Sequence, residues 1–205
     1  MGSYGKLEME PERAKNDLGI SHNLYNGKIC LGWHQVFSPE ANATIDEVLA
    51  QSTFINVISP TWMTVADADG SVTSIGDASY VEKAHAKGIK VWGLIDNFLE
   101  DVKVYDVLSD NDRRQHLIAE IIDCAKAVNM DGVNIDFENL NVEIGPHFAQ
   151  FIRELSLECH KNGLVVSVDN YVPQDYTAFY HREVQGEFGD YVIIMGYDEH
   201  NFGST

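Results

Sequence analysis

The 205-residue sequence is poor in cysteine and has no long apolar run. Its three cysteines, Cys30, Cys124 and Cys159, are odd in number and widely spaced, which favours buried free thiols over a disulfide framework or a metal site. No run approaches the roughly 18 consecutive apolar residues of a membrane-spanning helix, so we expect no membrane insertion. Residues 1–27 are polar and lack an apolar signal core, and we interpret them as a linker or a remnant of cloning.

Basic residues are also scarce: 14 Lys and Arg face 32 Asp and Glu, giving a formal charge of −18. Such a surface repels the phosphates of nucleic acid and the headgroups of anionic lipid. We therefore expect no nucleic-acid partner and a ligand of neutral or mixed charge. The apolar content of 44%, with 10% aromatic residues, is that of a globular protein with a substantial core.

Six short apolar runs recur along the chain and are predicted to be strands. They are residues 29–33, 54–59, 90–95, 132–137, 164–168 and 191–195. Helical patterns separate most of them. Gly88 and Gly163 are typical of positions just beyond a helix, and Pro146 suits a first helical turn. This alternation of strand and helix predicts a parallel sheet with helices outside.

Such a sheet could be a doubly wound open sheet or a (β/α)8 TIM barrel. No glycine-rich phosphate loop follows the first strand, because residues 33–38 are bulky, and this disfavours a nucleotide-binding open sheet. Polar residues follow four successive strands, and active sites of barrels gather at the carboxyl ends of their strands. These residues are Asp96, Asn97, Asp136, Glu138, Asp169, Asn170, Tyr197 and Asp198. We therefore predict an α/β (β/α)8 TIM barrel over residues 28–205, with only about six β/α units present and its C-terminal part missing from this chain.

One predicted strand carries an unusual polar face. In residues 131–138, apolar and polar side chains alternate, which puts the polar ones together on one face. That face carries Asn134, Asp136 and Glu138. A lone acidic residue at a strand end is usually a helix N-cap or an ion-pair partner. Three buried polar groups in register are costly unless they are used, and they favour a site that holds neighbouring carboxyls in different protonation states.

The pattern D-G-x-x-x-D-x-E of Asp131–Glu138 resembles the motif of the family 18 glycoside hydrolases, the chitinase-like enzymes. A second element of that family, a strand ending Met-x-Tyr-Asp, is matched by Met195–Asp198. The stretches 54–62 (FINVISPTW), 91–98 (VWGLIDNF) and 195–200 (MGYDEH) look like the spore-cortex-lytic and peptidoglycan-cleaving N-acetylglucosaminidases of the family. The likeness covers nearly all of residues 28–202.

The resemblance implies a retaining glycosidase that cleaves β-1,4 bonds after N-acetylglucosamine in peptidoglycan or spore cortex, with the substrate's acetamide as nucleophile. By motif position, Glu138 would be the general acid and base, and Asp136 would orient the acetamide N–H. Tyr197 would donate to the acetamide carbonyl, and Asp198 would lie beside the acetamide or the leaving group. A bacterial cell-wall, spore or extracellular setting is implied, without a cofactor. A silent glycan-binding barrel and a chitinase acting on chitin oligosaccharides remain alternatives, and the choice between endo and exo cleavage stays open.

One position departs from the chitinase pattern D-x-D-x-E, because Asn134 replaces the first aspartate. Since an amide carries no charge, we expect Asp136 to lose an acidic neighbour and to ionise more readily. The H-x-x-E spacing of a zinc site on one helix does not occur in the sequence, and we expect no catalytic metal.

Several other residues are candidates for supporting the site or binding substrate. Asp131 is expected chiefly to fix loop geometry, and Asp96 and Asn97 could equally cap the next helix. The remaining candidates are Asn170 and Met195, with Trp62, Trp92, Tyr171 and Tyr176 as sugar-stacking platforms. Core packing is the alternative for each aromatic, above all for Trp92.

Overall fold

The computed structural model describes residues 12–15 and 19–197. The strands, in chain order, are β1 (Glu12–Lys15), β2 (Ser21–Leu24), β3 (Leu31–His34), β4 (Val57–Val65), β5 (Val72–Ser74), β6 (Lys90–Asp96), β7 (Gly132–Asp136), β8 (Val165–Tyr171) and β9 (Tyr191–Met195). The helices are α1 (Ile45–Gln51), α2 (Ala78–Ala86), α3 (Val104–Ser109), α4 (Asn111–Ala127), α5 (Gly145–Lys161) and α6 (Arg182–Phe188). Two 3₁₀ helices span Pro39–Thr44 and Asp175–Tyr180.

The main sheet has the order β3–β4–β6–β7–β8–β9, and each neighbouring pair is parallel. The short strand β5 pairs antiparallel with β4. The indole Nε1 of Trp33 on β3 lies 3.1 Å from Oδ1 of Asn134 on β7, although β4 and β6 lie between these strands. This short distance across two strands shows that the sheet is curled. The six predicted strands are confirmed, and with the helices between them they form part of a TIM barrel.

Local sequence signals explain where the helices begin and end. The carboxylate of Asp77 accepts a hydrogen bond from the backbone N–H of Tyr80 and so caps α2. Gly88 and Gly163 follow α2 and α5 with φ angles of 73° and 74°, a left-handed region that glycine adopts without a steric penalty. Pro146 lies in the first turn of α5, as predicted. Among the described residues, no helix is both long and apolar enough to cross a membrane.

Helix α5 holds β7 in place from outside the sheet. Phe148, Phe151 and Ile152 on α5 are fully buried, and the ring of Phe137 stacks on that of Phe151 at 5.5 Å. Full burial of each such side chain contributes roughly 1.5–3 kcal/mol. Because Phe137 faces the helices, alternation turns the adjacent Asp136 and Glu138 toward the other side of the sheet.

Part of the N-terminal segment is folded against the barrel. Strands β1 and β2 form an antiparallel hairpin, and Asn23 on β2 donates from Nδ2 to the carbonyl of Leu164 at 2.9 Å. The ring of Tyr25 stacks on Trp92 with centroids 6.3 Å apart. Within the segment that we interpreted as a linker, residues 12–15 and 21–24 therefore form a hairpin with a buried contact that composition does not reveal.

Candidate active site

Three aspartates meet at the carboxyl ends of neighbouring strands. Asp96 on β6 is in register with Asp136 on β7, and Asp169 on β8 directly follows Val168, the partner of Ile135. All three line one cavity of about 840 Å³. The same cavity is also lined by Glu138, Met195 and Tyr197. The structure thus brings together residues from the two motifs at 131–138 and 195–198.

Glu138 is held from two sides. Its Oε2 accepts a hydrogen bond of 2.6 Å from the hydroxyl of Tyr171 at the end of β8. The side chain of Asn97 fixes its backbone, since Oδ1 accepts from the Glu138 N–H at 2.9 Å and Nδ2 donates to the Glu138 carbonyl at 3.0 Å. Glu138 also borders a second cavity of about 620 Å³, which Phe98 and Asn139 help to line. Glu138 therefore borders two spaces that a chain-like ligand could occupy.

The cavity is electrostatically unusual, because its carboxyls are buried near one another. Burial, followed by the charges of Asp169, Glu138 and Asp96, raises the pKa of Asp136 to about 7. Burial raises the pKa of Asp169 to about 6, although the nearby amide of Asn134 and the hydrogen bond from the Trp33 N–H oppose this. Asp136 is therefore harder to ionise than an ordinary aspartate, although the replacement of an aspartate by Asn134 was expected to ease its ionisation. Asp169, from the neighbouring strand, supplies an acidic neighbour that Asn134 does not.

Asn134 belongs to a buried polar network beneath these carboxyls. Its side chain is fully buried, and Oδ1 accepts from Ser59 Oγ at 3.0 Å and from Trp33 Nε1 at 3.1 Å. The same indole N–H lies 3.2 Å from Asp169 Oδ2. Sequence reasoning missed Trp33 and Ser59, and it selected Asn170 instead of Asp169. Strand register gives the signal that was needed, since Ser167 pairs with Asn134 and period two from Ser167 leads to Asp169.

Two predicted site residues lie elsewhere. Asn170 is buried on the opposite face of β8, where its Nδ2 donates to Gln185 Oε1 on α6 at 2.6 Å. Asp131 precedes β7 at the amino end of the sheet, and its carboxylate bonds to Lys90 Nζ at 2.9 Å and to the backbone N–H of Val91 at 2.9 Å. Asn170 and Asp131 therefore do not line the cavity that Asp136 and Glu138 share, and Asp131 fixes local geometry.

The predicted aromatic platforms have different surroundings. Trp62 is only 2% exposed, and its ring packs edge-on against Tyr80 with its Nε1 bonded to Asn42 Oδ1 at 2.7 Å. The 3₁₀ helix and α2 therefore cover most of its ring, although Trp62 still lines part of the cavity described above. Its role as a stacking platform stays a prediction. Trp92 is fully buried in the core, the alternative already weighed. Tyr176 is largely exposed.

Residues of the second motif line the same cavity. Tyr197 is 64% exposed, and its hydroxyl lies 3.3 Å from Met195 Sδ. Its ring meets Trp33 edge-on with centroids 6.2 Å apart. Asp96 lines the cavity and accepts a hydrogen bond of 3.0 Å from Thr64 Oγ1. Asp198 lies outside the described residues.

No cysteine lines the cavity in the described part of the chain. Cys30, Cys124 and Cys159 are free thiols there, as predicted, but only Cys159 is buried, and the other two are half-buried. In the same residues, no group of three or more His, Cys, Asp or Glu side chains is arranged to hold a metal ion.

A curled parallel sheet with an acidic cavity at the carboxyl ends of its strands defines a barrel protein of the type found among glycosidases. Residues 34–204 match the model of the glycosyl hydrolases family 18, and the chain belongs to this family.

Relatives of known sequence or structure agree with this assignment. The chain is 30% identical over 142 residues to the uncharacterized glycosylase YvbX of Bacillus subtilis, covering 62% of this chain and 41% of the relative. Its fold is similar to the C-terminal domain of a putative chitinase from Desulfitobacterium hafniense, with a TM-score of 0.73, 23% identity, and coverage of 86% and 56%. The spore cortex-lytic enzyme SleL of Bacillus cereus gives a TM-score of 0.71, 18% identity, and coverage of 88% and 44%. The chain spans about half the length of these proteins.

Proposed function

We propose that this chain carries the catalytic site of a retaining glycosidase that cleaves the β-1,4 bond after N-acetylglucosamine in peptidoglycan or spore-cortex glycan. The observation that carries this proposal is the position of Glu138 between two cavities, with its carboxylate bonded to Tyr171 and its backbone bonded to Asn97. A carboxyl held in this way can protonate the oxygen of a glycosidic bond whose two sugars occupy the two spaces. It can then activate the water that completes the reaction.

In this scheme the substrate's own acetamide is the nucleophile. Family 18 uses this mechanism in place of the usual pair of carboxylates. Asp136 borders the same cavity as Glu138 and can accept the acetamide N–H while opposing the positive charge that develops. Tyr197 lines that cavity too, and its hydroxyl can hold the acetamide carbonyl in line with the anomeric carbon. These assignments use each group for the chemistry that its side chain allows.

The names of similar proteins support the class of glycan. SleL of Bacillus cereus is named a spore cortex-lytic enzyme, and the protein from Desulfitobacterium hafniense is named a putative chitinase. N-acetylglucosamine is common to cortex peptidoglycan and to chitin. We favour peptidoglycan, and hence a cell-wall, spore or extracellular setting, because residues 54–62 and 91–98 resemble the cortex-lytic subgroup.

The test compares reducing-end release from muropeptides and from chitin oligosaccharides. Glu138→Gln is expected to lower kcat by about 10²- to 10⁴-fold, the contribution typical of a general acid. Glu143→Gln, the same substitution at an exposed position of the following loop, is the matched control and should retain wild-type turnover.

Three outcomes would change the assignment. Equal turnover by wild type and Glu138→Gln would remove Glu138 from its role. Glycan binding by the wild type without turnover would make the barrel a binding module. Cleavage of chitin oligosaccharides alone would reassign the substrate.

A further inference from the structure

Asp169 has no part in the hydrolysis scheme above, yet it is the most enclosed acidic residue of the cavity. It is 3% exposed, whereas Asp96, Asp136 and Glu138 are half-buried. An ionised carboxylate at such a position is costly unless a cation or several donors compensate it. The surroundings of Asp169 therefore call for an explanation.

Strand register makes Asp169 the lateral neighbour of Asp136. Val168 pairs with Ile135, so the next residues along β8 and β7 are Asp169 and Asp136. The Trp33 N–H contacts both Asn134 and Asp169, the side chains of the cavity face on these two strands. Asp136 and Asp169 are thus two acids side by side on one face of a parallel ladder.

The titratable side chains around this pair are all neutral or negatively charged. Asp96 faces it from β6 and Glu138 from the end of β7, and the charges of both raise the pKa of Asp136. On the remaining sides, Tyr180 has its pKa raised to about 12 and stays neutral, and burial lowers the pKa of His34. Among the described residues that line the cavity there is no lysine or arginine. No cation is therefore placed there to balance two ionised carboxylates.

One oxygen of each acid lacks a donor. Asp136 Oδ1 and Asp169 Oδ1 are buried atoms without a hydrogen-bond partner among the described residues. Buried polar atoms in folded proteins are almost always paired, so each such atom needs a physical reason. A single proton held between two carboxyls supplies a donor to one and an acceptor to the other, as in other pairs of buried acids.

We propose that Asp136 and Asp169 share one proton, so that Asp169 supplies from β8 the acidic partner that Asn134 does not supply on β7. Asn134 then has a clear function. An aspartate at position 134 would set a third carboxyl against the same indole N–H that Asp169 uses, in a site without a cation. The amide accepts that hydrogen bond without adding charge.

The consequence for catalysis rests on the proposed function. When positive charge develops on the acetamide, the shared proton moves fully onto Asp169 and leaves Asp136 ionised beside that charge. When the product leaves, the proton returns to its shared position, and no proton is gained or lost by the pair. Asp169 is therefore a positioning residue, because it sets the charge of Asp136 without touching the substrate.

The test is a carbon-13 NMR titration of the aspartate carboxyls in the ligand-free chain, with Asp136 assigned from Asp136→Asn. Sharing predicts that Asp136 titrates in two steps in the wild type. Asp169→Asn retains an acceptor for Trp33, and removing the charged neighbour should lower the Asp136 midpoint by at least about one pH unit. Asp123→Asn, on the exposed side of α4, is the matched control and should leave the midpoint unchanged.

The titration requires no turnover, so a failure of the proposed hydrolysis would leave its result intact. An equal Asp136 midpoint in the wild type and Asp169→Asn would overturn the proposal. So would a single-step wild-type titration at the ordinary aspartate value, a result that needs no variant to fold.

If the chain is active, kinetics give a second measure. Asp169→Asn should move the pH–rate limb governed by Asp136 to lower pH, and Asn134→Asp combined with Asp169→Asn should move it back. If Asp169→Asn lowers kcat but does not shift this limb of the pH–rate profile, proton sharing is contradicted. Asp169 would then have only a structural role.

Discussion

The raised pKa of Asp136 predicts that its carboxylate destabilises the folded chain at alkaline pH. The folded pKa is about 7 against an ordinary value of 3.8, so the folded protein holds this proton more tightly than the unfolded chain. Stability from this group is therefore complete below the unfolded pKa, falls as pH rises between the two values, and is lost above the folded pKa. The difference corresponds to on the order of 4 kcal/mol.

Asp136→Asn removes the ionisable group and preserves the shape of the side chain. We expect the variant to be more stable than the wild type above neutral pH, by up to the amount given above, while the difference shrinks toward acidic pH. Urea unfolding followed by tryptophan fluorescence at about pH 4, 6 and 8 measures this difference. Asp123→Asn, at an exposed position, should show no comparable dependence on pH.

The opposite result is equally clear. If Asp136→Asn differs from the wild type by the same free energy of unfolding at acidic and alkaline pH, ionisation of Asp136 costs nothing in the folded state. The raised pKa, and the account of the cavity as a place where charge is expensive, would then be wrong.

Two further predictions concern contacts around the site strand. Tyr171→Phe removes the hydroxyl that donates to Glu138 at 2.6 Å and should lower kcat by roughly 10- to 100-fold, as expected for a hydrogen bond to a charged group. An unchanged kcat would contradict this role of the Tyr171 hydroxyl. Gly132→Ala would place a Cβ 2.7 Å from a backbone oxygen of β8 and should therefore lower the Tm. Gly186→Ala on α6 is the control and should raise the Tm slightly, because no atom lies within 4 Å of its new Cβ. A similar change of Tm in both variants would contradict this packing.

The strands and helix ends were predictable because their causes are local. Apolar residues at period two mark a strand whatever lies beside it, and Gly88 ends a helix because glycine adopts positive φ without strain. The N-terminal hairpin escaped prediction for the opposite reason. Its anchoring contacts, such as Asn23 to Leu164, join residues far apart in the chain and leave no periodic signal.

The sequence by itself determined that the polar face of β7 carries Asn134, Asp136 and Glu138, because side-chain direction along a strand follows from chain geometry alone. Only the tertiary structure decided which residues surround that face: Asp169 and not Asn170, and Trp33 from across the curled sheet. The ionisation of a carboxyl depends on burial and on charges through space. The state of Asp136 was therefore fixed by strand register and sheet curvature, which no single segment encodes.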